Sequence, residues 1–372
     1  MGSGSPDISR AARVPTNPST AATPAAPATA TTTPPATSTP PAAPAGIAGD
    51  TFRRLSPSVS AGQMAETDAK MLADQAARPG VISEPQAIRA ARVAAALPDG
   101  DRARFQAAVD GAGSDTQKAF IYKALAAGHP VNEVVDFAGQ IHGLADQQLL
   151  KDYTLSGPLA NKDAPGLGQQ FSTSCVPSVA ETLRGDADPI YAKSVRTQNE
   201  DVNLNAPDVK NAPLRGAEKQ LLEGTGGGKA VPFDAKGNAP GGQPTQPNKV
   251  DDVLNSVSRY TGVTYRQAEL PRSDALHASD GQMALLDQLG AQLQQGIATP
   301  FQVRTPDNQR AHEALAIAVE GTGAQQRFLV HDPASGDTAW LSRKDLVWGA
   351  NAFPEWGGFK YGLSGVALAE AR

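Results

Sequence analysis

The chain has 372 residues, 33 Lys and Arg against 38 Asp and Glu, a formal net charge of −5 and a single cysteine. That balance offers no basic face for nucleic acid, and one thiol excludes an intramolecular disulfide framework. No run approaches the ~18 consecutive apolar residues of a membrane span, and the N-terminus lacks the apolar centre of a secretory signal, so the product is expected to be made in the cytoplasm.

Residues 1–62 form a biased segment. "PSTAATPAAPATATTTPPATSTPPAAPAG" is uncharged and almost wholly Pro, Ala, Thr and Ser. It has nothing to bury against its conformational entropy, which predicts a disordered tail of extended polyproline character. Its role is that of a spacer, or of an export tail engaging a specialised secretion apparatus or chaperone.

Residues 63–155 read as a helical domain. "SEPQAIRAARVAAAL" opens with Ser83 and sets Ile88, Ala91, Val93 and Leu97 near one face. "DTQKAFIYKALAAG" opens at Asp115 and stops at Gly128, an N-cap and C-cap pair, and "PVNEVVDFAGQIHGL" and "LADQQLLKDYTL" continue the 3.6-residue period. The domain serves as a docking platform or as a cover for the C-terminal domain.

From 156 to 372 the pattern changes. A Gly- and Pro-rich loop leads into a helix running from Cys175 to Gly185, and the stretch from about 186 to 250 reads as irregular specificity loops. "VDDVLNSVSRYTG" and "DGQMALLDQLGAQLQQG" are helices closed by Gly; "ATPFQVRT", "HEALAIAVEG", "QRFLVHDP" and "TAWLSRKDL" are strands. Helices first and an antiparallel sheet later predict an α+β domain. "EGTGGGKA" fails as a phosphate loop, since Ala230 follows Lys229 where Ser or Thr is needed. No residues have metal-ligand spacing, so neither a metal nor a cofactor is expected.

A thiol nucleophile must be ionised near neutral pH, which a helix N-terminus and a nearby imidazolium both favour. Cys175 precedes Val176 and Pro177, and proline is tolerated in a first helical turn. Its base must be held by a third group. His129 and His142 fall in the helical domain, and His277 in a polar loop. His312 opens a strand, and the following hairpin returns Asp332 beside it, while His331 competes for the base from the opposite face. Gln169, six residues before the thiol, is placed to donate to an oxyanion, with Gln170 as its rival.

Gln169, Cys175 at a helix start, His312 opening a strand and Asp332 ending the next occur in the order used by papain-like cysteine peptidases. The chain resembles the branch of double-glycine (bacteriocin-leader-processing) peptidases and their free-standing relatives, through "LQQGIATPFQVR", "HEALAIAV" and "HDPASG". It differs from that branch in Ser174-Cys175-Val176 at the nucleophile and in Glu313 after the base. The resemblance covers residues 160 to 350. It implies a papain-like fold, cleavage of a peptide or isopeptide bond in a protein or peptide substrate, and Cys175, His312, Asp332 and Gln169 as catalytic residues. With the tail, it further implies a secreted bacterial effector or toxin, an expectation that fails if the protein stays inside its producing cell. The same triad also serves glutamine deamidation, transglutamination or peptidoglycan amide cleavage, or survives inactive in an adaptor.

Overall fold

The computed structural model describes residues 81–157, 166–197, 212–232, 241–271, 279–305, 311–348 and 362–371. The expected tail over 1–62 and His277 lie outside the described residues.

Five helices come first: α1 (Glu84–Ala96), α2 (Asp99–Asp110), α3 (Asp115–Ala127), α4 (Val131–Ile141) and α5 (Asp146–Asp152). Ser83 starts α1 with a reciprocal capping box through Gln86. The N-cap of α3 is Ser114, one residue before the expected Asp115; its hydroxyl accepts from the Gln117 N–H, leaving Asp115 in the first turn beside the positive helix end. Gly128, at φ 95°, closes α3 in the left-handed conformation. Phe105, Phe120, Val134 and Ile141 share one core. Two polar side chains tie these helices to the following region. Gln86 Nε2 donates to the Ala187 and Tyr260 carbonyls at 3.2 Å each, and His129 bridges Glu133 Oε2 at 3.0 Å and Asp188 Oδ1 at 2.8 Å.

The next elements are α6 (Cys175–Ala187), α7 (Pro189–Thr197), α8 (Ala212–Lys219), which runs into a π turn at Gln220–Thr225, α9 (Val250–Asn255) and α10 (Ser258–Thr261). Thus α7 and α8 occupy part of the stretch read as irregular. α6 runs two residues past Gly185. That glycine is a packing slot rather than a stop, since a Cβ there would lie 2.3 Å from Leu155 Cδ1 and Cγ.

The sheet comprises β1 (Val263–Glu269), β2 (Thr299–Arg304), β3 (Ala311–Glu320), β4 (Arg327–His331), β5 (Thr338–Ser342) and β6 (Gly362–Ala371), with α11 (Asp280–Gln294) between β1 and β2 and α12 (Arg343–Trp348) after β5. Every pairing is antiparallel, in the order β1-β6-β2-β3-β4-β5. The architecture is α+β. β1 and β6 escape the sequence pattern, because "VTYRQAE" is half polar and "GLSGVALAEA" is rich in Gly and Ala, which favour strands poorly.

Both faces of the sheet are covered. Ala314 and Ala316 of β3 pack with Leu285, Leu286 and Leu289 of α11, whereas Leu315 and Ile317 pack with Val179 and Leu183 of α6. Two-sided burial explains the unbroken apolar run in β3. No helix among the described residues is long and apolar enough to cross a membrane.

Candidate active site

Cys175 is the first residue of α6, half-buried, with its sulfur at the positive end of the helix dipole. The strand β3, whose Leu315 and Ile317 pack against α6, carries His312 near its start. His312 Nε2 meets Asp332 Oδ1 at 2.6 Å, and the ring is also hydrogen-bonded to Cys175. Because Nε2 faces Asp332, Nδ1 is the nitrogen left for the thiol. Asp332 lies in the turn after β4, where the Ala334 N–H donates to the same Oδ1 at 3.1 Å and the Gly336 N–H to the Asp332 carbonyl at 2.7 Å. The residues are thus arrayed thiol, imidazole, carboxylate.

The electrostatics favour charge separation. Burial alone would raise the Cys175 thiol, but the His312 hydrogen bond and charge, with the backbone N–H groups of Glu313 and Val176, hold it below its ordinary value. Burial would lower His312; the Asp332 carboxylate and the sulfur instead push it up to about 10. Asp332 resists its own burial through the His312 charge and stays below the usual carboxylate range.

His331 does not share this arrangement. It is fully buried, its Nδ1 is 3.5 Å from Thr338 Oγ1, and a Cβ on Gly166 would fall 2.6 Å from its Cε1. Burial keeps it below the ordinary imidazole value and hence uncharged. His129 forms the bridge described above and His142 is exposed; neither lines the cavity beside the thiol.

The loop before α6 is fixed at both candidate amides. The Gln169 N–H donates to the Pro333 carbonyl at 2.6 Å, one residue beyond Asp332. The Gln169 Oε1 is buried without a partner, and the residue does not line the cavity beside the thiol. Gln170 is turned inward, its Nε2 donating to the Gly168 carbonyl at 3.0 Å.

One residue that the sequence did not single out anchors this loop. Glu218 of α8 is fully buried; it accepts from the Gln170 N–H at 2.9 Å, Ser174 Oγ at 2.8 Å and Ser178 Oγ at 2.9 Å. It therefore grips the chain on either side of Cys175. Burial pushes its carboxyl up to about 8 against the pull of those three bonds. The signal was available: Leu214, Glu218 and Leu222 stand four residues apart on one helical stripe, and both leucines are fully buried.

A cavity of about 280 Å³ opens beside the thiol, lined by Cys175, Val176, Thr245, Glu269, Gln302, His312 and Glu313 among others. Glu313 is 1% exposed, and burial followed by the neighbouring sulfur pushes it up to about 8. Among the described residues no group of three or more His, Cys, Asp or Glu is placed to hold a metal ion. No family model matches the chain, and no curated protein matches it; the chemistry rests on this geometry.

Proposed function

We propose that this chain is a papain-like cysteine hydrolase that cleaves a peptide or isopeptide bond. The observation that carries the reading is the relay itself, Cys175 hydrogen-bonded to His312 and His312 held by Asp332 at 2.6 Å, at a helix N-terminus and beside a cavity.

The Cys175 thiolate attacks the scissile carbonyl carbon, forming a C–S bond and an oxyanion, which the Cys175 backbone N–H stabilises; the Gln169 amide joins it only by turning into the cavity it does not line in this structure. Imidazolium His312 gives its proton to the leaving nitrogen as the C–N bond breaks, leaving a thioester. His312 then takes a proton from water, whose oxygen attacks the thioester. Collapse releases the acid, and the proton retained on His312 restores the ion pair. Asp332 orients the ring and stabilises its charged form throughout. The wider reading, an exported bacterial effector or toxin, is supported by the composition of residues 1–62 alone.

The test is the rate of iodoacetamide alkylation of Cys175 against pH. In the wild type the apparent thiol pKa is expected well below ~8.5, and in His312→Ala it returns to the ordinary range. A slow, ordinary thiol in both proteins would overturn the reading.

A further inference from the structure

One row of residues crosses four neighbouring strands on the face of the sheet that meets α6. Glu269 of β1 pairs with Gly365 of β6, Gly365 with Gln302 of β2, and Gln302 with Glu313 of β3. Direct cross-strand partners share a face, so the row runs acid, gap, amide, acid. The gap is Gly365, where a Cβ would come within 3.1 Å of Glu269 Cγ. Glu269, Gln302 and Glu313 all line the cavity that holds Cys175 and His312.

The hydrogen-bonding inventory of this wall is unbalanced. Glu313 Oε1 accepts from Gln267 Nε2 at 3.2 Å, but its Oε2 is buried with no partner. Gln267 Oε1 is buried and unmatched as well, and so is Thr245 Oγ1, which belongs to a residue lining the cavity. Among the described residues no lysine or arginine lines the cavity. Asp251, whose Oδ1 accepts from the Gln267 N–H at 2.9 Å, adds a further negative charge to this side. Buried polar atoms without partners are costly, and two of these, Glu313 Oε2 and Thr245 Oγ1, belong to residues that line the cavity beside the nucleophile. The missing component is a donor-rich cation.

We propose that this cavity selects a substrate bearing a cationic side chain, a lysine ammonium or an arginine guanidinium, next to the bond attacked, with Glu313 and Glu269 as its partners. The proposal rests on Cys175 being the nucleophile. As an ionised acceptor, Glu313 Oε2 has no donor in the free protein. A bound cation supplies the donor, and its charge draws the raised carboxyl back toward ionisation. Glu269, exposed at the rim, supplies the attraction that steers the cation in.

Peptidyl chloromethyl ketones that differ only in one side chain, arginine against its neutral near-isostere citrulline, provide the probe. The second-order rate of Cys175 modification is read on the full chain by intact mass, with iodoacetamide as the side-chain-free control. The arginine probe is expected to react at least about tenfold faster than the citrulline probe, the scale of one charge-assisted hydrogen bond in a partly desolvated cavity. That ratio should fall toward unity in Glu313→Gln and by a smaller factor in Glu269→Gln, whose exposed position keeps folding defects out of the comparison. A ratio near unity in the wild type, or one that neither substitution changes, overturns the proposal. Iodoacetamide reports thiol activation separately: an ordinary rate there overturns the hydrolase reading, while the arginine-to-citrulline ratio still decides the pocket.

Discussion

The Asp332 carboxylate accepts from both the His312 ring and the Ala334 N–H, so an amide at this position separates orientation from charge. Asp332→Asn keeps a hydrogen-bonding group of the same shape but removes the charge that raises His312. The imidazolium is then less favoured, and with it the thiolate it supports. The apparent thiol pKa of Cys175 is expected to rise, read as the midpoint of the alkylation rate against pH, and each unit by which it stands above the assay pH lowers the rate about tenfold. An unchanged alkylation profile would show that Asp332 does not act on the pair. His312 and Asp332 were legible together because an antiparallel hairpin returns the end of its second strand to the start of its first. Glu218 and Glu313 were not, because an acid in sequence reads as solvated surface. Only tertiary packing against the Cys175 loop and the β1–β3 face buries them.

Along α6, Gly185 tests whether helix propensity or packing decides. In an open helix, Gly→Ala gains up to about 1 kcal/mol. Here the new Cβ would lie 2.3 Å from Leu155, which is fully buried. Overpacking of this kind costs roughly 1–3 kcal/mol, so Gly185→Ala is expected to destabilise. Leu155→Ala, which opens the slot, should make the same glycine substitution less costly. Denaturant midpoints of the four proteins in that cycle measure the coupling, and a stabilised Gly185→Ala would refute the packing account. The glycine exposes a limit of sequence reading: a Gly that ends a helix and a Gly that admits a neighbour look alike until the neighbour is known. β6 illustrates the same limit in a strand. Its small residues carry little strand preference, and pairing on both sides with β1 and β2 supplies what propensity does not. The four strands from β2 to β5 were legible because their branched and aromatic residues fall between clear turns, although in "TAWLSRKDL", expected to be strand throughout, the second half from Arg343 is the start of α12.

Across the molecule, three buried glutamates whose carboxyls burial raises, Glu181, Glu218 and Glu313, make stability depend on pH in an unusual direction. Glu218 and Glu313 both titrate at about 8 in the folded chain, driven there by burial. An unfolded glutamate titrates near 4.3. Between about 4.3 and 8 the folded state therefore binds more protons than the unfolded state, and stability falls as pH rises through that window. Each group contributes a slope of up to about 1.4 kcal/mol per pH unit. His129, raised chiefly by its hydrogen bond to Asp188, acts in the same sense: its contribution is complete below about 6.5 and is lost as pH rises through the raised folded value. Asp332 acts oppositely at the acid end, because its depressed carboxyl loses its contribution as pH falls through the folded value. The lowered thiol of Cys175 also favours higher pH, so the wild-type curve alone mixes signs. Comparison with Glu313→Gln and Glu218→Gln removes the groups that all three proteins share. Thermal midpoints from pH 5 to pH 8.5 should decline more steeply in the wild type than in either variant. Parallel curves would mean that both carboxylates ionise without penalty, and that the fold around the thiol is more open to water than its packing indicates.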